Sequence, residues 1–176
     1  MSKENLEHLN TFIREIPDFP KPGILFRDIT PLLFIPEARE QITVNLIEKI
    51  ESFNPSVIVG IEARGFIFGA VIADRLQLPF AIVRKSGKLP AETFEVSYEL
   101  EYGTDLLQIH TEPNLNNQKV ILIDDLLATG GTAVAAKKLI QKANGIVSAC
   151  GFIVELKDLN GRMHLGDTPI CSVLEL

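Results

Sequence analysis

Tryptophan is absent, and cysteine occurs only twice, at Cys150 and Cys171. Two cysteines cannot staple a disulfide framework, and neither belongs to a closely spaced metal-binding pair. Both are expected as small buried strand residues. No apolar run approaches the ~18 residues that a membrane span requires. The opening MSKENLEHLN is polar and acidic, so it is expected not to be a signal peptide. Positive charge is in deficit, with 17 Lys and Arg against 23 Asp and Glu and a net charge of −6. That balance argues against a nucleic-acid coat, which binds by neutralising phosphates. It leaves room for a local basic pocket. The remaining composition, 46% hydrophobic and 23% charged, is that of a globular protein and too apolar for a disordered chain. A single cytoplasmic domain covering 1–176 is expected, with no nucleic-acid or membrane partner.

No internal repeat or low-complexity stretch is visible. Leu6, Leu9, Phe12, Ile13 and Ile16 share one helical face, which predicts a helix over Glu4–Ile16. Pro17, Pro20, Pro22 and Gly23 then break the pattern. The segment from Pro17 to Leu33 holds too many prolines for a long helix yet is rich in Ile, Leu and Phe, so it is a candidate lid or pocket wall. Regular alternation follows. Helices are predicted over Pro36–Phe53, Gly65–Leu76 and Thr132–Ala143, and strands over Ser56–Ile61, Phe80–Val83, Val120–Ile123 and Ile146–Leu156. Strands alternating with helices imply an α/β fold with a central parallel sheet and right-handed crossovers. Between Leu89 and His110 the segments are polar and alternating, which suggests an antiparallel excursion or mobile loop beside the sheet.

The most informative stretch is VILIDDLLATGGT, Val120–Thr132. An apolar strand ends in Asp124 and Asp125, and the small-residue loop Ala128, Thr129, Gly130, Gly131, Thr132 opens a helix. In a parallel sheet ligands bind beyond the carboxyl ends of strands. Glycines let backbone N–H groups point inward, the helix N-terminus adds partial positive charge, and the threonine hydroxyls can donate as well. The loop is therefore a cradle for a phosphate monoester. It is neither a Walker loop nor a dinucleotide fingerprint. Carboxylates would repel a phosphate held against them, but they accept hydrogen bonds from hydroxyls. A sugar diol beside one phosphate, as in ribose 5-phosphate, satisfies both halves. Basic residues follow two other predicted strands: Arg64 after the first, and Arg84, Lys85 and Lys88 after the second. His8, His110 and His164 are scattered and read as structural or surface residues.

The run VILIDDLLATGGT resembles the phosphoribosyl pyrophosphate (PRPP) binding motif of the type I phosphoribosyltransferases. Further segments resemble the adenine-specific members of that family: FPKPGILFRDITPLL (Phe19–Leu33), GIEARGFIFGA (Gly60–Ala70), VRKSGKLPAET (Val83–Thr93) and YELEYGTDLLQIH (Tyr98–His110). They follow in family order and extend to GFIVELKDLNGR (Gly151–Arg162), whereas Met163–Leu176 is less diagnostic. The resemblance implies a type I phosphoribosyltransferase-like sheet flanked by helices, with residues 1–34 forming an N-terminal helix and a base-binding hood. It implies transfer of the phosphoribosyl group from PRPP to adenine, giving AMP and pyrophosphate, in purine salvage. Glu62, Ala63 and Arg64 would form the pyrophosphate loop, with a cis peptide joining Glu62 to Ala63. Arg64, Lys85 and Lys88 would contact pyrophosphate, and Arg84 would serve either that anion or a subunit contact. Adenine offers an acceptor at N1 and a donor at N6, which the Arg27 amide and the Leu25 carbonyl would read. Phe26 would lie beside the ring or anchor its own segment, and Leu156 would cover another side. Glu101 would be the acid/base residue, with Tyr102 shielding the site from water. Alternatively, the stretch around Glu101 is an exposed hairpin. Mg²⁺ would be held mainly by PRPP and water without direct protein ligands, and the enzyme would be a homodimer. A PRPP- or purine-sensing regulator on the same fold is the competing reading. It could dispense with Arg64 and with the Glu101–Tyr102 loop, and this chain keeps both.

Overall fold

A computed structural model describes residues 8–99 and 104–176, without the side chain of Glu99. The chain divides into two compact units, one ending at Asn45 and the other beginning at Leu46.

In the first unit, a helix ends at Asn10. The expected helix over Glu4–Ile16 therefore does not reach its predicted end. Instead Arg14–Pro17 forms strand β1, antiparallel to β2, Leu25–Asp28, with Ile16 opposite Phe26. The apolar spacing was compatible with a helix, but Arg14 lies opposite Asp28, and its Nη2 donates to Asp28 Oδ2 at 2.5 Å. Strand pairing and an ion pair thus win over local periodicity. Phe19 stacks edge-on against Phe26, with ring centroids 5.1 Å apart. Asp28 also accepts the Thr30 N–H at 2.9 Å, just where helix α1, Thr30–Phe34, begins. Helix α2 covers Pro36–Ile50, and a short 3₁₀ turn, Glu51–Phe53, completes the predicted segment.

The second unit is built on seven strands: β3 (Val57–Ile61), β4 (Phe80–Lys85), β5 (Thr93–Glu99), β6 (Thr104–His110), β7 (Lys119–Leu127), β8 (Ile146–Glu155) and β9 (Ile170–Glu175). Their order across the sheet is β5-β6-β4-β3-β7-β8-β9. The strands from β4 to β9 in that order are parallel neighbours, while β5 and β6 are an antiparallel extension on the β4 side. The parallel sheet and the antiparallel excursion expected from the alternation are both present. Every residue of β3 is buried, as expected for a strand covered on both faces. Helix α3 (Arg64–Leu76) follows β3, and helix α4 (Gly131–Lys142) follows β7. Val57, Val59 and Ile61 pack in one core with Ala136, Leu139 and Ile140 of α4. Gly60, on the opposite face, approaches the Gly65 carbonyl at the start of α3.

Two boundaries differ from expectation. Strand β7 runs to Leu127, because β8 pairs with it as far as Leu127 opposite Glu155. Asp124 and Asp125 therefore lie within the strand rather than past its end. Strand β9 was not anticipated, since its pattern is short and mixed in polarity. Cys150 is buried in β8, where burial pushes its thiol pKa up to about 12, and Cys171 is half-buried in β9. Among the described residues no helix is long and apolar enough to cross a membrane.

Phe152 is completely buried in β8. Phe152→Ala is expected to cost about 3–5 kcal/mol of stability, read as a lower midpoint in urea unfolding. Asp28 supplies a pH test. The Thr30 N–H, and then Arg14, hold its carboxyl at about 2, below the ordinary 3.8. A carboxylate with a depressed folded pKa stabilises above its unfolded pKa and loses that effect as pH falls through the folded value. Asp28→Ala should therefore reduce stability by about 1–3 kcal/mol at neutral pH, the loss of hydrogen bonds to a charged group. The gap to the parent should close between about pH 4 and pH 2 when melting curves are compared.

Candidate active site

Three adjacent parallel strands, β4, β3 and β7, end side by side. Their carboxyl ends carry the basic residues and the two aspartates that the sequence singled out. After β3 come Glu62, Ala63 and Arg64, and the Glu62–Ala63 peptide is cis. Glu62 faces β4: its Oε2 accepts the Lys85 N–H at 3.0 Å and the Arg84 Nε–H at 3.1 Å. Burial alone would raise this carboxyl, but the two hydrogen bonds and the nearby charges of Arg84 and Lys88 outweigh it. The Glu62 pKa consequently lies below the usual range.

Arg64, the first residue of α3, donates through Nε to Asp125 Oδ2 at 2.5 Å, joining β3 to β7. Asp125 is buried, and its N–H donates to Asp124 Oδ1 at 2.9 Å. Burial, and then the charge of Asp125, raise the Asp124 pKa well above the ordinary carboxylate value. Lys85 points to the antiparallel extension, with Nζ 3.2 Å from Asp105 Oδ2. Asp105 also lies 3.4 Å from the Tyr98 hydroxyl, its cross-strand partner. These groups line one cavity of about 390 Å³, which Ala128 and Thr132 also border. A smaller recess of about 90 Å³ follows the loop from Ala128 to Ala133. Gly130, the residue before α4, has φ +86, a left-handed conformation that favours glycine.

Most of the residues expected to bind pyrophosphate and ribose phosphate are thus brought together: Glu62, Ala63, Arg64, Lys85, Asp124, Asp125 and the 128–132 loop. Lys88 is exposed beyond the turn at Gly87 and does not line the cavity, although its charge reaches Glu62. Tyr98 and Asp105 line the cavity and had not been singled out. The alternation of ETFEVSYE and TDLLQIH was the available signal, because it puts the two residues opposite each other. Glu101 and Tyr102 lie outside the described residues. Leu25, Phe26 and Arg27 belong to the first unit, where Arg27 pairs with Glu15. They form strand β2, within the Pro17–Leu33 segment for which no strand was predicted. Leu156 directly follows β8, and its N–H donates to the Leu127 carbonyl at 2.9 Å. His164, read as structural, reaches the loop, its Nδ1 lying 2.7 Å from the Thr129 carbonyl oxygen.

This arrangement offers acceptors for hydroxyls, N–H donors for an anion, and cations for a second anionic group, all at one sheet edge. The comparisons agree with that chemistry. Residues 32–158 match the family described as phosphoribosyl transferase domain. The adenine phosphoribosyltransferase of Nostoc punctiforme is 48% identical, over 95% of this chain and 98% of its own length. That of Synechococcus sp. is 51% identical over 94% and 97% respectively. Among solved structures, adenine phosphoribosyltransferase from Thermoanaerobacter pseudethanolicus superposes with a TM-score of 0.94. It is 48% identical, with 97% of this chain and 99% of that one covered. The Saccharomyces cerevisiae enzyme, solved with adenine and an imino-alditol bisphosphate, gives 0.91 at 36% identity, over 98% and 100%. With the site geometry and the match over nearly the whole chain in agreement, this protein belongs to the phosphoribosyltransferase family, in the branch of the adenine phosphoribosyltransferases.

Proposed function

We propose that the protein transfers the 5-phosphoribosyl group of PRPP to N9 of adenine, releasing AMP and pyrophosphate. The carrying observation is the single cavity in which Arg64, Lys85, Asp124, Asp125 and the start of the 128–132 loop meet. The 5-phosphate sits on the N–H groups and hydroxyls of Ala128, Thr129, Gly130, Gly131 and Thr132. Asp124 and Asp125 accept hydrogen bonds from the ribose hydroxyls, and Glu62, Ala63, Arg64, Lys85 and Lys88 receive the pyrophosphate.

Arg64 pairs with Asp125, and Lys85 with Asp105. In the reaction the two cations serve the pyrophosphate, and Asp125 serves a ribose hydroxyl. As the bond from C1 of the ribose to the pyrophosphate oxygen breaks, C1 gains oxocarbenium character, and N9 of adenine attacks from the opposite face. Pyrophosphate leaves with the bonding electrons, and the N9 proton passes to a base. The chain aligns the reactants and stabilises the charge leaving with pyrophosphate. Glu101 is assigned to the proton, and Tyr102 to excluding water.

Leu25, Phe26, Arg27 and Leu156 are assigned to adenine. Leu25 and Arg27 are two positions apart in β2, so their backbone groups face the same edge of a two-stranded ribbon. That geometry supports a paired carbonyl and amide readout, in which the wrong base would leave polar groups unpaired.

Among the described residues no group of three or more His, Cys, Asp or Glu is arranged to hold a metal. Asp125 is already engaged by Arg64. This donor set would suit Mg²⁺ bound mainly through PRPP and water, with Asp124 and Asp125 as the carboxylates of the site. When bound, the ion neutralises diphosphate charge. We also read the enzyme as a cytoplasmic homodimer. Ile67 and Val71, one turn apart on α3, are both 43% exposed and supply an apolar stripe for a second copy.

Incubation with PRPP, Mg²⁺ and, separately, adenine, hypoxanthine, guanine and xanthine should yield nucleotide from adenine far faster than from the others. Absence of AMP would overturn the assignment, and product from none of the four would favour the sensor. Glu101→Gln should lower turnover by about 10²-fold or more. Near-normal turnover across pH would remove Glu101 from the mechanism.

A further inference from the structure

The segment after β8 touches the phosphate loop at three backbone points, and nothing in the proposed chemistry uses those contacts. Gly161 opens a short 3₁₀ stretch, Gly161–Leu165. A Cβ on Gly161 would lie 2.1 Å from the Ala128 carbonyl oxygen and 3.0 Å from the Gly130 nitrogen. A Cβ on Gly130 would lie 2.6 Å from the Gly161 carbonyl oxygen. The two strands of chain therefore pass backbone to backbone, with no room for a side chain on either. One turn later His164 Nδ1 lies 2.7 Å from the Thr129 carbonyl oxygen, and as a ring N–H it donates there.

This stretch is itself held firmly. Arg162 grips the buried Glu155 through Nε at 2.9 Å and Nη2 at 2.5 Å, and Ser172 Oγ donates to the same carboxylate at 2.6 Å. Lys137 of α4 donates to the Leu165 carbonyl at 2.9 Å. Strands β8 and β9 and helix α4 thus all fix the platform on which Gly161 and His164 sit.

We propose that Gly161 and His164 are positioning residues that set the phosphate loop in its anion-receiving shape. The inference rests on reading Ala128–Thr132 as the 5-phosphate site. In a planar trans peptide the C=O and the following N–H point in opposite directions. When His164 captures the Thr129 carbonyl, the Gly130 N–H is directed to the other side of the loop. With the Ala128 carbonyl against Gly161, the Thr129 N–H is likewise directed away from it. The carbonyls, which would repel a phosphate, are thereby turned toward the platform. A side chain at Gly161 displaces the loop, and loss of the His164 donor frees one carbonyl to rotate.

The test is calorimetric binding of ribose 5-phosphate, with pyrophosphate as the control ligand, to the full-length parent and to Gly161→Ala, His164→Ala and His164→Gln. Gly161→Ala should weaken ribose 5-phosphate by about tenfold or more, and His164→Ala by roughly three- to tenfold, the loss of one hydrogen bond. Pyrophosphate affinity should change less than twofold. His164→Gln, which keeps an N–H donor, should recover most of the loss. In steady-state assays the same variants should raise the KM for PRPP more than that for adenine. If the parent binds ribose 5-phosphate and every folded variant binds it equally well, the positioning role is wrong. If the parent itself does not bind it, the reading of the loop is wrong instead. Should Gly161→Ala not fold, the alanine and glutamine variants at His164 decide the matter.

Discussion

Helix α3 lies so close to strand β7 that no side chain fits at Gly65. A Cβ there would sit 2.6 Å from the Ile123 carbonyl oxygen and 3.1 Å from the Asp124 Cα. This approach places Arg64, one residue earlier, against Asp125. Two neighbouring carboxylates at one strand end would otherwise repel each other in a poorly solvated place. The guanidinium at 2.5 Å offsets the charge of Asp125, while Asp124 carries the burden as a raised pKa. A cation and two carboxylates thus coexist at one edge because a glycine allows helix and strand to meet.

The same economy of charge recurs at β4. Glu62 spends its carboxylate on the Lys85 N–H and the Arg84 side chain, so the cis-linked loop and the next strand end hold each other. That leaves the Lys85 ammonium to face Asp105 across the cavity. An acidic chain can present positive charge to an anion in this way because Arg64 and Lys85 are gathered at one edge, each beside a carboxylate. In the proposed chemistry one of those partners, Asp125, also accepts a ribose hydroxyl. The net charge of −6 says nothing of this local arrangement.

Much of the sheet was legible because its central strands are buried on both faces, which forces continuous β-branched runs such as SVIVGI and VILI. The phosphate loop was legible because a strand, two acids, small residues and a helix start are contiguous. Legibility failed where distant pairing decides. Arg14–Pro17 looked helical until its partner Asp28 was in place, and β9 acquires its identity only by lying beside β8. Strand β7 outlasts its apolar run for the same reason: the neighbouring β8 supplies hydrogen bonds as far as Leu127.

By itself the sequence determined the alternating α/β plan and the donors and acceptors carried by Asp124, Asp125 and the loop after them, since these follow from periodicity and contiguous chemistry. Only the tertiary structure decided that Arg64 meets Asp125 across 61 positions, that Lys85 meets Asp105, and that Gly161 lies against Ala128. Such pairings depend on which strands lie side by side and how closely backbones approach. Neither property is carried by any local stretch of residues.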